Sequence, residues 1–163
     1  MRSCEPRPRD CRLAGMLVRD VMTEAVVVAD PAVSVRAIAE LMRDRGVGSV
    51  VLVEAGRPVG FITDRDLTMS IVAEGRDVFD PVSEHASTPV ITAEPDMEID
   101  EGAQLMVRQG VRRLVVVEAG FLVGVVTLDD LSSRVTDAAL AARLSARVTR
   151  AAMPDYGVRA SVN

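Results

Sequence analysis

Lysine and tryptophan are absent from these 163 residues, and aromatic side chains make up only 2% of the chain. There is one histidine, His85, and the two cysteines, Cys4 and Cys11, both lie near the start. Each shortage excludes something. So few rings leave no stacking platform for single-stranded bases. The net charge of -5 and the pI near 4.9 are the reverse of a nucleic-acid surface, which is normally strongly basic. One histidine and two terminal cysteines give little from which to build a nucleophile and its base, so catalysis is not expected. The Cys-x6-Cys spacing matches no zinc motif, and His85 alone, with no ligand-type residue at metal spacing, reads as an ordinary surface or loop residue rather than a metal or catalytic one. Apolar runs such as residues 50–53 and 114–117 are strand length, well short of the ~20 residues a membrane helix needs. Neither nucleic acid nor membrane is an expected partner.

What is there is globular. Hydrophobic residues are 48% and charged residues 26% of the chain, a composition that folds without staples at this length. All 19 basic residues are arginine, which puts a planar, bidentate anion binder at every cationic position. Residues 1–15 hold four arginines and lack the apolar stretch of a secretory signal. They read as a disordered arm, or as residues upstream of a start at Met16. With no disulfide framework, a reducing cytoplasm is the expected location.

An internal repeat organises the rest. Residues 18–67 set against residues 82–131, a constant offset of 64, give 19 identities in 50 positions with no gap. The shared skeleton includes Pro31/Pro95, Leu41/Leu105, Met42/Met106, Gly46/Gly110, Gly60/Gly124, Thr63/Thr127 and Asp66/Asp130. In the first copy a short β-branched run over 26–29 stops at Asp30-Pro31. Ser34 can then cap a helix whose apolar positions Val35, Ile38, Leu41 and Met42 keep the helical period. Gly46 is placed to end that helix in the left-handed region. Strands over 50–53 and 59–62 flank a turn at Glu54-Ala55-Gly56-Arg57, and a second helix begins near Asp66. The second copy repeats the order, with strands at 90–92, 114–117 and 122–126 and a helix over 100–109.

A β-α-β-β-α unit of ~50 residues is too small to bury its strands alone, so the two copies are expected to pack together. The chain therefore divides into the arm at 1–15, repeat 1 at 16–72, a connector at 73–81 and repeat 2 at 82–135. A C-terminal helix at 136–148, with Leu140, Leu144 and Val148 on one stripe, and a loose tail at 149–163 complete it. The Met residues read as core filler.

On these residues the sequence resembles a tandem cystathionine-β-synthase-type (CBS) domain pair, or Bateman module. The likeness rests on Asp20-Val21-Met22-Thr23 opening the first copy, on Gly46-Val47 and Gly110-Val111-Arg112-Arg113-Leu114 after the helices, and on the closing runs 60–67 and 124–131, each containing Thr-x-x-Asp. It covers roughly residues 16–135 and is similar to the stand-alone bacterial members. The resemblance implies an α/β (α+β) fold of two repeats packed sheet to sheet about a pseudo-two-fold axis. It also implies a homodimer and a regulatory, non-catalytic role with no required cofactor. The effector would be an adenosine-containing ligand (AMP, ADP, ATP, NAD or S-adenosylmethionine) bound between the copies, with the signal passed to a regulated protein in trans.

Carried over residue by residue, the resemblance implies two ligand sites. Site A takes Thr63, Arg65 and Asp66 from the first copy with Val90, Ile91, Val111, Arg112, Arg113 and Leu114 from the second. Site B takes Thr127 and Asp130 with Val26, Val27, Val47, Gly48, Ser49 and Val50. An acid at the fourth position of Thr-x-x-Asp can accept hydrogen bonds from vicinal ribose hydroxyls, while the same pattern is also a helix capping box. Arg65, Arg112 and Arg113 offer charge-assisted contacts to phosphate, and site B has none of them at the matching places. Arg112 and Arg113 also read simply as solvated charges at a helix exit. A polyphosphate is expected to prefer site A. The alternative is a constitutive dimeric scaffold whose clefts are vestigial.

Overall fold

The computed structural model describes residues 15–130, together with Ala142 and Ala146. Apart from those two alanines the expected C-terminal helix, with Leu140, Leu144 and Val148, lies outside the described residues, as do the tail, Leu131 and most of the N-terminal arm. The elements are α1 (Val18–Val21), β1 (Val28–Ala29), α2 (Val35–Arg45), β2 (Ser49–Glu54), β3 (Arg57–Thr63), α3 (Asp64–Leu67), β4 (Thr92–Ala93), α4 (Ile99–Gln109), β5 (Arg113–Glu118) and β6 (Phe121–Thr127). A π-helical turn at Thr68–Ala73 continues α3, and a 3-10 turn at Val82–Glu84 opens the second copy.

Each copy builds one three-stranded sheet, ordered β1-β2-β3 and β4-β5-β6. The first pair in each sheet is parallel and the second is an antiparallel hairpin. Local chemistry sets the boundaries. The Ser34 hydroxyl accepts the Ala37 N–H at 3.2 Å and caps α2. Gly46 and Gly110 end α2 and α4 at φ 63° and 66°, in the left-handed region that glycine tolerates. The hairpin strands run a residue or two longer than their apolar runs, because the flanking polar residues still join the ladders: Ser49 pairs with Thr63 and Glu54 with Arg57. The opening strands β1 and β4 are only two residues each, shorter than the runs expected at 26–29 and 90–92.

The packing units are not the sequence repeats. One core gathers Val35, Ile38, Met42, Val50, Leu52, Ile62 and Leu67 from the first copy with Val82 from the second. The other gathers Ala93, Ile99, Met106, Leu114, Val116 and Val126 from the second copy with Val18 and Val21 from the first. Each copy thus lends its opening residues to the other's core, a contribution of ~1.5 to 3 kcal/mol for each buried Val. Backbone pairing seals the exchange. Thr23 and Val125 bond reciprocally at 2.9 and 3.0 Å, and Phe61 and Ser87 do so at 2.8 and 3.2 Å. The crossing is close at the duplicated glycines. A Cβ on Gly124 would lie 2.8 Å from Met22 Sδ, and one on Gly60 would lie 3.2 Å from Ala86 Cβ. Sheet faces meet through β3 and β6. At their outer ends the hairpin tips are joined by the Leu122 N–H on Gly56 O at 3.0 Å and by Arg57 over the Phe121 ring at 4.7 Å.

His85 corrects an expectation. It sits where the repeat places Val21, and its side chain is 1% exposed rather than on the surface. A residue whose equivalent is a core valine follows that valine inward, whatever its polarity.

Candidate functional site

Between the two copies, where β3 and β6 run into their helices, lies a cleft of about 650 Å³, within the range of small-molecule sites. Its walls are built from three places. The strand-to-helix turn of the first copy supplies Phe61, Thr63, Asp64, Arg65 and Asp66. The entry to the second copy supplies Ser87, Pro89, Val90 and Ile91. The exit of α4, with the start of β5 and the end of β6, supplies Gly110, Val111, Arg112, Arg113, Val115, Thr127, Leu128 and Asp129.

Of the site A residues, Thr63, Arg65, Asp66, Val90, Ile91, Val111, Arg112 and Arg113 are on these walls, and Leu114 is not. Its side chain is fully buried in the second core. Strand side chains alternate between faces, so Arg113 and Val115 line the cleft and Leu114 turns away. Val50, its equivalent, is buried in the first core in the same way and gives no side chain to site B. Val27 and Val47 are half-buried against that core. Ser49 pairs with Thr63, Val26 lies half-buried just before β1, and Gly48 faces Asp64, whose Oδ2 would be 3.3 Å from a Cβ at that position. Thr127, assigned to site B, lines the same cleft as Thr63 and donates its hydroxyl to Asp130, which is not on the walls.

Both Thr-x-x-Asp turns form the same hydrogen bonds. The Thr63 N–H and hydroxyl donate to Asp66 Oδ2 at 2.9 and 2.7 Å, and the Asp66 N–H donates to Thr63 Oγ1 at 3.2 Å. In the second copy the corresponding distances are 2.9, 2.8 and 3.1 Å. This is the capping box, and it spends only one carboxylate oxygen. Asp66 Oδ1 accepts no bond among the described residues and remains free to take a ligand hydroxyl. The turns are also anchored across the sheet, with the Asp64 N–H on Gly48 O and the Leu128 N–H on Arg112 O, both at 3.1 Å.

The charge on the walls is mixed. Arg65, Arg112 and Arg113 share the cleft with Asp64, Asp66 and Asp129. Arg112 is exposed and Arg113 half-buried, and neither makes an ion pair among the described residues. The apolar surface comes from Pro89, Val90, Ile91, Val111 and Val115, so a flat ring can be held between aliphatic walls. Counting arginines alone missed Asp64 and Asp129, and Phe61, Ser87 and Pro89 were missed because the crossing of the opening segments brings them to the wall. Val115 lies one residue beyond Leu114 on the opposite face of β5. Among the described residues no three His, Cys, Asp or Glu side chains gather as metal ligands, and no helix is long and apolar enough to cross a membrane.

Known proteins share this arrangement. The chain is 39% identical over 115 residues to the CBS domain-containing protein YhcV of Bacillus subtilis, spanning 71% of this chain and 82% of that one. A CBS domain protein, PAE2072 of Pyrobaculum aerophilum, solved in complex with AMP, superposes with a TM-score of 0.69 at 26% identity, over 80% of this chain and 99% of that one. The CBS domain pair of protein MJ0100, solved with 5-methylthioadenosine and S-adenosyl-L-methionine, superposes with a TM-score of 0.66 at 26% identity, over 72% and 94% of the two chains. The CBS domain family itself matches twice, over residues 18–73 and 82–137. With two matched domains that face each other across one cleft, this chain belongs to the CBS domain family as a tandem pair.

Proposed function

We propose that the protein is a ligand-sensing regulatory module that takes an adenosine-containing molecule in the cleft at Thr63–Asp66 and passes the occupancy on to a partner protein. The observation that carries this reading is the coincidence, around one cavity, of an Asp66 oxygen and two arginines, Arg112 and Arg113, without partners among the described residues, with aliphatic walls at Val90, Ile91 and Val111. Asp66 Oδ1 accepts ribose hydroxyls, the aliphatic walls hold the adenine, and the arginines meet phosphate. The AMP complex of one structural neighbour and the methylthioadenosine and S-adenosylmethionine complex of another support an adenosyl ligand. Binding that is tighter in one packing of the two copies than in another shifts the population between them. In this reading the protein is a cytoplasmic homodimer and not an enzyme.

A thermal-shift panel of AMP, ADP, ATP, NAD and S-adenosylmethionine tests the reading. A ligand specific to the native state stabilises it by RT ln(1 + [L]/Kd), about 2.7 kcal/mol at a hundredfold excess over Kd, which raises Tm by several degrees. A constitutive scaffold is the second reading, favoured by both Asp side chains being engaged in capping boxes. No shift with any of the panel would leave that one standing.

A further inference from the structure

We infer that His85 is a proton-operated support for the cleft wall, tightening the segment that enters the second copy when the imidazole is charged. The consequence for ligand binding rests on the adenosyl reading above. The Nε2 atom of His85 is buried without a hydrogen-bond partner, an unusual state for a buried polar atom. Asp80 Oδ2 lies 3.6 Å away. One proton and a small contraction turn that approach into a charge-assisted hydrogen bond. The repeat gives the comparison, since the equivalent Val21 is fully buried and apolar, so packing alone does not call for an imidazole here.

Among the described residues the charged group that approaches His85 is Asp80. Asp80 is also approached by Arg76 Nε at 3.4 Å, and a second Arg76 nitrogen holds Glu84 at 2.8 Å. Asp77 accepts the Phe79 N–H. On α2, joined to this segment by the Arg36 N–H on Val78 O, Arg36 and Glu40 are bonded to each other. From β3 the paired residue is Phe61, which carries no charge.

Two residues beyond His85, Ser87 is bonded reciprocally to Phe61, and both are on the cleft wall, followed there by Pro89 and Val90. An imidazolium held on Asp80 fixes the start of this run and lowers the ordering cost of binding. The support is present while the imidazole carries both ring protons and is lost when one of them leaves.

Because His85 is the single histidine, its imidazole C2–H resonance is unambiguous. The ligand-free protein is titrated by NMR from about pH 5.5 to about pH 8, following that proton and the Ser87 and Val90 amides. In the wild type the amides are expected to shift with the His85 midpoint. In His85→Val, which installs the residue of the equivalent position, they are expected to stay still, and in Asp80→Asn they are expected no longer to follow the His85 resonance. Adenosine is the binding probe, since unlike a phosphate it does not titrate in this window. Its affinity is expected to be about fivefold higher at the acid end, with no such slope in His85→Val. Amides that ignore His85 in the wild type, or a His85→Val protein that keeps the slope, would overturn the inference. Amides that follow His85 while adenosine fails to bind at either pH would uphold the support and sink the adenosyl reading instead.

Discussion

The two Thr-x-x-Asp turns are alike to within 0.1 Å in every hydrogen bond, yet their surroundings have diverged. After α4 the chain places Arg112 and Arg113, and after α2, at the equivalent positions, Gly48 and Ser49. Asp64 stands against Gly48, where the second copy has Leu128 against Arg112. The duplicated frame fixes where a ligand's ribose could be held, because a capping box leaves little freedom. Charge beyond the frame is free to drift, and it decides what the rest of the ligand can be.

The sharpest way to break this asymmetry is to remove the arginine pair. Hydrogen bonds to charged groups contribute ~1.5 to 3 kcal/mol each, but Arg112 is exposed and three carboxylates share the cleft. Arg112→Ala with Arg113→Ala is therefore expected to weaken AMP or ATP by roughly ten- to a hundredfold. Adenosine is expected to lose much less, and calorimetry with both ligands checks it. Equal losses for adenosine and nucleotide would mean that the arginines shape the wall and do not meet phosphate.

A subtler comparison sets Asp66→Ala against Asp130→Ala. Each removes one capping box, so both are expected to cost about 1 kcal/mol of stability and to lower Tm alike. Only Asp66→Ala is expected to weaken binding as well, about tenfold for adenosine and nucleotide together, because the ribose is common to both. If Asp130→Ala abolishes the tight binding event and Asp66→Ala spares it, the ligand sits on the other side of the cleft.

Much of this frame could be read from residues alone. Ser34, Gly46 and Gly110 announce helix ends through local chemistry, and the offset of 64 brings the second copy into register with the first. The exchange of Val18 and Val82 between cores was not legible, since a repeat marks similar stretches and says nothing about which core each stretch joins. The same exchange hid Ser87 and Pro89 from the cleft and placed His85 indoors. Leu114 was misplaced for a different reason. A run of four apolar residues, 114–117, hides the alternation that Arg113 on one face and Leu114 on the other would have revealed.

The smallest expected effect lies at the far end of the sheets, where the copies agree again. Both hairpins turn on Ala-Gly, with φ 48° at Ala55 and 76° at Gly56, then 51° at Ala119 and 83° at Gly120. Such a pair of left-handed residues gives the turn the twist of its strands, and asparagine enters that region more easily than alanine. Both alanines are exposed, so a longer side chain displaces nothing. Ala55→Asn and Ala119→Asn are each expected to raise stability by about 0.5 kcal/mol, toward the low end of such backbone substitutions. The tips differ in one respect: Arg57 from the first lies over the Phe121 ring of the second. Urea unfolding of the two single variants tests whether that contact ties the tips together. Equal gains mean that each turn relaxes locally, whereas a gain at Ala55 with none at Ala119 means that the Arg57–Phe121 contact holds the second tip in its present shape.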